Sequence, residues 1–415
     1  MKIAIIGSGI AGLTSAYLLN RRQDITVFEA SDWIGGHTHT VDVEVKGQRY
    51  AVDTGFIVFN DWTYPNFIRL LSQLGVGFKD TEMSFSVSDP LSGVEYNGHN
   101  LNTLFAQRRN LVSPKFIGMV RDILRFNREA LQDLNNQRID ADMTLGDYLK
   151  ANGYSERFIQ HYIVPMGAAI WSMSLNDMLG FPLQFFVRFF KNHGLLSVSD
   201  RPQWCVIEGG SSSYVAPLTE SFKQHIRLNC AVTRVERDGD GVTVHSAAGS
   251  ERFDKVVFAC HSDQALALLA APTSTEQAIL GALPYANNDV VLHTDTRLLP
   301  KRPLDWASWN YRLGGPVDQT AAVTYDMNIL QGIQNDTTFC VSLNQTAAID
   351  PSKILARYTY AHPQYSLAGM AAQARWEELL GANHSYFCGA YWANGFHEDG
   401  VVSALRVARE FGEAL

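Results

Sequence analysis

Lys2-Ile3-Ala4-Ile5-Ile6-Gly7-Ser8-Gly9-Ile10-Ala11-Gly12 stands at the start of the chain, and Ile25-Thr26-Val27-Phe28-Glu29 follows a short way on. Ile3 to Ile6 is an apolar run of the length a buried parallel strand needs. The glycines come directly behind it and open a helical stretch from Leu13 to Asn20. Ile25 to Phe28 reads as a second strand that ends in an acid. Each part suits a dinucleotide. Gly7 makes the tight turn, Gly9 lets backbone N–H groups approach a pyrophosphate, and Gly12 lets helix and strand pack closely. The helix N-terminus, entered through Ile10 and Ala11, turns its positive dipole end to the phosphates. Glu29, with Ala30 beside it, is placed to accept from ribose hydroxyls and would repel a 2′-phosphate.

Outward from this unit, Gly35-Gly36-His37-Thr38 is a second glycine element behind the second strand. Val41 to Asn60 alternates as strands about a turn at Gly47 and contains Asp53-Thr54-Gly55-Phe56. Tyr64 to Leu74 reads as a helix begun near Pro65, since proline is tolerated in a first turn. Phe78 to Tyr96 reads as a hairpin broken by Asp89-Pro90 and Ser92-Gly93. Leu101 to His193 is mostly helical, with starts at Ser113-Pro114 and at Thr144, where Asp147 completes a capping-box pattern. Glu208-Gly209-Gly210-Ser211 leads into a helix from Tyr214 to Gln224. A meander of short strands runs from Ile226 to Cys260, with Lys255 to Cys260 as the last parallel strand. Val290 to Tyr360 supplies further alternating strands, turned at Gly314-Gly315-Pro316. Near the end, Tyr386-Phe387-Cys388-Gly389 is a strand reaching a glycine, and Gly400-Val401-Val402-Ser403-Ala404 begins a helix.

Composition narrows the function classes. The 415 residues, 46% hydrophobic and 18% charged, can bury a large core and suggest two domains. A formal net charge of −8 gives no basic footprint, so nucleic acid is not an expected partner. Five cysteines without CxxC pairs argue for a reducing compartment and against a disulfide framework or a metal site. No signal peptide precedes the first strand and no apolar run has membrane-spanning length, so a cytoplasmic protein is expected.

The four glycine elements, at residues 7–12, 35–38, 54–56 and 389–404, resemble in kind and order the flavin-containing amine oxidoreductase superfamily, which includes amine oxidases and phytoene desaturase-like enzymes. The resemblance implies FAD rather than NAD. It implies an α/β fold, a Rossmann-like FAD domain with a β-meander plus a mixed sheet-and-helix substrate domain. On it, the FAD domain is expected at 1–77, 203–284 and 380–415, and the substrate domain at 78–202 and 285–379. Cofactor contacts are expected at Gly7, Gly9, Ile10, Ala11, Gly12, Glu29, Ala30, Gly35, Gly36, His37, Thr38, Thr54, Gly55, Phe56, Val232, Gly389, Gly400, Val401 and Ala404. His37 stands where the superfamily usually has an arginine. His37 and His39 also raise a covalent histidyl–flavin bond, against ordinary hydrogen bonding to phosphate or backbone.

His37-Thr38-His39-Thr40, Asp53 to Asn60, Pro165 to Ser172 and Leu292 to Asp295 are similar to one bacterial branch, usually called predicted NAD/FAD-binding proteins or amine oxidases. Its genes often neighbour cyclopropane-fatty-acid synthase-like methyltransferases, which implies a fatty-acyl substrate by association. Amine oxidases of the superfamily usually place a lysine at a strand that here reads Tyr285-Ala286-Asn287-Asn288-Asp289-Val290-Val291. Trp171, Tyr391 and Trp392 are the substrate-side candidates, each also readable as packing. Phe181, Phe185, Phe186, Phe189 and Phe190 surround only Arg188 and Lys191. They read as a buried helix, as a hydrophobic tunnel, or as a face resting peripherally on the inner membrane surface. His293 reads as a core histidine. The expected activity is hydride transfer from a lipid C–H bond to flavin N5. Amine oxidation, a non-redox isomerase and a flavin-free NAD dehydrogenase stand as alternatives.

Overall fold

In the computed structural model, which describes residues 1–314 and 321–415, the first strand forms at Lys2–Ile6 and the second at Asp24–Phe28. Every residue from Ile3 to Ile6 is buried, as a strand covered on both faces requires. Five parallel strands make this sheet, in the spatial order Ile226–Arg227, Asp24–Phe28, Lys2–Ile6, Lys255–Phe258, Ser385–Phe387. Lys255–Phe258 is therefore not the last parallel strand. Ser385–Phe387 pairs outside it, with Phe258 opposite Phe387. The antiparallel meander Val232–Asp238, Gly241–Ser246 and Gly249–Phe253 packs against this sheet through Val235, Val242, Val244 and Phe253.

The second body is a seven-stranded mixed sheet. Its order is Ile354–Pro363, Tyr285–His293, Cys340–Leu343, Val323–Asp326, Trp309–Arg312, Phe85–Asp89, Val94–Asn97. The hairpin read over Phe78 to Tyr96 is shorter than expected, running from Phe85 to Asn97. Phe78–Thr81 instead joins Val58–Asn60 on the two sides of Trp204–Ile207. The chain thus crosses between sheets after Thr81 rather than at residue 78. The expected turn at Gly314-Gly315-Pro316 lies partly outside the described residues.

Helices fill residues 101–192. Pro114–Asn135 starts on Ser113, whose Oγ accepts from the Phe116 N–H. Thr144 caps Leu145–Ala151, but Asp147 accepts from the Thr144 hydroxyl rather than closing a backbone capping box. The stretch read as one helix from Tyr214 to Gln224 is broken into shorter turns, the α-helical part being Val215–Thr219. The phenylalanine helix is Leu183–Asn192. Phe181, Phe186, Phe189 and Phe190 are buried and Phe185 half-buried, while Arg188 and Lys191 point outward. Those rings pack the interior, so this helix has no aromatic face to lay on a membrane. Among the described residues no helix is long and apolar enough to cross one.

Candidate active site

The three glycines of the first turn divide cleanly by what surrounds them. Gly7 has φ +104°, and a Cβ there would lie 2.7 Å from the Ala259 carbonyl oxygen. A Cβ on Gly12 would lie 2.0 Å from the Gly7 carbonyl oxygen. Both positions are glycine because protein fills the space. A Cβ on Gly9 would meet nothing within 4 Å. Gly9 is also the N-cap of the helix Ile10–Leu19 and offers no side-chain cap, so the first-turn N–H groups are not capped by their own sequence. An open cradle at a helix N-terminus fits a pyrophosphate.

Glu29 lies beside this cradle. Its Oε2 accepts from the Ser8 N–H (2.9 Å) and hydroxyl (2.6 Å), and its Oε1 from the Ser31 N–H (2.8 Å). Three of roughly four acceptor sites are filled, which fixes the carboxylate and leaves capacity for a ribose hydroxyl. Cys230 N–H bonds the Glu29 carbonyl at 2.8 Å and so brings the half-buried Val232 segment alongside, with Ala30 exposed at the rim.

The loop Gly35 to Thr38 turns through two positive-φ glycines, at +125° and +59°, and passes 3.1 Å from the Gly9 Cα as measured from a Cβ on Gly36. Thr38 is buried and its hydroxyl meets the Tyr214 hydroxyl and His397 Nε2 (2.9 Å). Gly55 packs so tightly on the His37 carbonyl that a Cβ would lie 2.1 Å from its oxygen, and the Phe56 N–H donates to that oxygen at 2.7 Å. Asp53 anchors the same loop from behind. It is buried and accepts from the Thr40 hydroxyl, the Ser211 N–H and hydroxyl, and Gln331 Nε2. Burial pushes its pKa up to about 6 against the Thr40 and Ser211 donors.

His37 faces the mixed sheet. Its ring centroid lies 5.0 Å from Tyr360, 5.6 Å from His362 and 6.1 Å from His261, and His261 stacks on Tyr285 at 4.1 Å. Burial, and then the neighbouring His261, lowers the His37 pKa to about 4, the Ala361 backbone opposing. Burial and His362 lower His261 to about 4, and burial and His37 lower His362 to about 3. Three neutral imidazoles therefore stand where an arginine would carry charge. His37 Nε2 is buried without a hydrogen-bond partner among the described residues. A buried nitrogen without a partner leaves a hydrogen bond for a bound group to supply. His39 is tied instead to Thr54 and Tyr360, through Nδ1 at 3.1 and 3.0 Å. His293 is a core histidine bonded to Ser342 at 2.8 Å.

At the other end of the chain the geometry corrects the helix start. The last helix begins at His397, not Gly400, and runs to Arg409. Gly400 N–H is already committed to the Phe396 carbonyl. A Cβ on Gly400 would lie 2.7 Å from Ile10 Cγ2, and Val401 and Ala404 are buried, so these three residues pack the last helix onto the first. The first-turn donors belong to residues 397–399. Gly389 N–H bonds Ser403 Oγ at 2.8 Å, and a Cβ there would strike the Tyr391 ring at 2.4 Å. Tyr391 and Trp392 lie in the core around Val256 and Phe258, and the Trp392 indole donates to the Phe387 carbonyl at 2.9 Å. Packing accounts for the position of Trp392.

Comparison with known proteins gives the family and the fold. The model of the family described as flavin containing amine oxidoreductase matches residues 10–324. The chain belongs to that family of FAD-dependent oxidoreductases. It is 21% identical over 266 residues to zeta-carotene desaturase of Solanum lycopersicum, covering 58% of this chain and 43% of that one. It spans between 12% and 56% of the first curated relatives it matches. Among solved structures, cyclohexylamine oxidase from Brevibacterium oxydans has a TM-score of 0.65 at 16% identity, covering 99% of both chains. A CLA-producing fatty acid isomerase from P. acnes has a TM-score of 0.67 at 15% identity, covering 99% of this chain and 98% of that one. FAD is the cofactor of this family, and the open Gly9 cradle, Glu29 and the loops of Gly36 and Gly55 have a geometry that would hold it.

Beyond the flavin loops lies an aromatic group that the sequence suggested only in part. Trp171 stacks on Phe181 at 4.4 Å and lies 4.8 Å from Phe189. Phe185 sits 5.2 Å from Tyr365, and Phe189 5.4 Å from Phe396, the residue before His397. Trp171 Nε1 and the Tyr365 hydroxyl are buried with no partner among the described residues. Each such donor costs about 1–3 kcal/mol unless something accepts from it. On the strand Tyr285–His293 the buried polar residues are Asn288, bonded to His362 and Asn344, and the core His293, and the strand carries no lysine. Tyr365, His362, His261 and His397 carried no motif, which is why sequence reading passed over them.

Proposed function

We propose that this flavoenzyme oxidises a carbon–hydrogen bond of a fatty-acyl or other lipid substrate. FAD, when bound, supplies the hydride acceptor. The carrying observation is the uncharged character of the wall facing the flavin loops: three imidazoles with pKa values of about 3 to 4, the amide of Asn288 beside His362, and the aromatic group around Trp171. A chain of methylenes loses nothing by entering such surroundings and gains about 0.8 kcal/mol for each CH₂ buried. A polyamine would have to shed its charges or leave them unpaired, at far higher cost.

The chain's own groups divide the work. Trp171 Nε1 and the Tyr365 hydroxyl, both donors, suit the carbonyl or carboxylate end of an acyl group. Burial holds the Tyr365 pKa well above its ordinary value, so that hydroxyl keeps its proton. The lowered pKa values of His37, His261 and His362 make them hydrogen-bonding groups rather than strong bases at neutral pH.

Anaerobic mixing of the FAD-loaded protein with a panel of unsaturated or methyl-branched acyl lipids and of amines tests the reading. Bleaching by acyl lipids with none by spermine is expected. Rapid bleaching by spermine alone would overturn it. Migration of an acyl double bond with the flavin oxidised at the end would favour an isomerase.

A further inference from the structure

Leu91, Leu101, Leu111 and Val112 are 86%, 75%, 52% and 83% exposed. Exposed aliphatics scattered singly need no explanation, but these are gathered. Gln107 Nε2 donates to the Gly93 carbonyl at 2.9 Å, and the Arg109 guanidinium donates to the same oxygen. Those bonds pin the turn that carries Leu91 to the short helix Arg108–Val112. Arg108 NH1 donates to the Phe105 carbonyl at 2.9 Å and NH2 to Asn102 Oδ1 at 2.7 Å, which fixes the helix Leu101–Leu104 beside them. The helix Pro114–Asn135 continues the face with Arg121, Leu124 and Arg128, exposed on one stripe at helical spacing.

The charges are sorted with the aliphatics. From Leu101 to Leu124 there are four cations, Arg108, Arg109, Lys115 and Arg121, and one carboxylate, Asp122. Asp122 is turned inward to the Ser155 N–H at 2.9 Å and to Arg125. The whole chain carries a formal net charge of −8. A basic, aliphatic face on an acidic protein is what an anionic bilayer attracts: side chains enter the headgroup boundary while cations meet phosphates.

We propose that this face, and not the phenylalanine helix, rests on an anionic phospholipid surface. A two-fold contact of the face with a second copy would set its arginines against their own equivalents. The proposal does not depend on the substrate reading. It is tested without turnover, so either can fail alone.

Co-sedimentation of the FAD-loaded full chain with vesicles of phosphatidylcholine, alone or mixed with phosphatidylglycerol, reads it directly. Binding to the mixed vesicles is expected, falling about tenfold or more in the double variant Leu111→Ser, Val112→Ser. Lys115→Gln and Arg121→Gln should each cost about fivefold at low salt. Unchanged flavin content and melting temperature will show that the variants are folded. No binding to the mixed vesicles, or binding indifferent to these substitutions, overturns the proposal. So does a solution dimer that the same substitutions dissociate.

Discussion

The imidazole of His397 lies flat on the ring of Phe56, with centroids 3.4 Å apart and planes inclined by 12°. A loop from the early chain and the first turn of the last helix are thereby fixed to one another beside Thr38 and Tyr214. Burial, and then His37, holds the His397 pKa well below its ordinary value, so the contact is between neutral rings. His397→Ala should weaken FAD binding about tenfold, roughly the worth of one well-made hydrogen bond and its stacking. Equilibrium dialysis of FAD against wild type and variant measures it.

Gly9→Val should give a folded protein that has lost its flavin. The site has room for the side chain as far as protein atoms are concerned, so melting of the flavin-free protein should change little. Gly12→Val should fail to fold stably, because its Cβ would lie 2.0 Å from a carbonyl oxygen. Flavin-to-protein ratio and thermal melting together separate the two. Full flavin occupancy in Gly9→Val would refute the placement of the pyrophosphate.

Stability should fall as pH drops from about 6.5 toward 4. His37 and His261 titrate at about 4 and His362 at about 3 in the folded protein, against an ordinary 6.5. In that window the unfolded chain binds more protons than the folded one, so unfolding becomes easier with acid. The stability is fully present above 6.5 and lost as pH falls through the window. Asp53, raised to about 6, works the other way over part of the range. Replacing His362 by Asn should flatten the slope of melting temperature against pH.

Phe186→Ser and Phe185→Ser should behave differently, although the residues are adjacent. Phe186 is fully buried and stacks on Phe190 at 4.0 Å, so its loss should cost about 3–5 kcal/mol in denaturant melts. Phe185 is half-buried against Tyr365 and should cost less stability. Its replacement should reduce the gain in apparent affinity per added methylene of an acyl substrate, read from KM across a chain-length series.

Tyr365→Phe and Trp171→Phe each remove a donor that has no partner among the described residues while keeping an aromatic ring. Each should raise KM for a free fatty acid about fivefold, the worth of one neutral hydrogen bond, with kcat changed less than twofold. A fall in kcat with KM unchanged would show that these groups do not hold the substrate's polar end.

The parallel sheet was legible because its evidence is local. An apolar run, three glycines and an acid all fall within residues 3–29, and no tertiary partner is needed to read them. The helix at His397 was misread for the opposite reason. The glycine at 400 suggested an opening turn, while the actual opening depends on Asp399, whose Oδ2 accepts from the Asn394 and Phe396 N–H groups. Phe78–Thr81 looked like half of a hairpin because it precedes one, and only Trp204–Ile207, distant in sequence, reveals its sheet. The phenylalanine helix allowed three readings, since periodicity marks an apolar face without saying what covers it. The histidine wall was legible least. His37, His261 and His362 sit on three segments that meet only when both sheets are assembled.

Lys255–Phe258 sits between the first strand of the chain and one of the last, Lys2–Ile6 on one side and Ser385–Phe387 on the other. A ribosome delivers these three in an order that leaves Lys255–Phe258 as an open edge until Ser385–Phe387 emerges. The helix from His397 must follow before residues Gly400 and Ile10 can touch. A nascent chain therefore displays its dinucleotide loop long before the opposite wall exists, and folds this region late, through contacts of high sequence separation. The glycine loop and the wall opposite it are thus joined through the strand Ser385–Phe387 and the helix behind it.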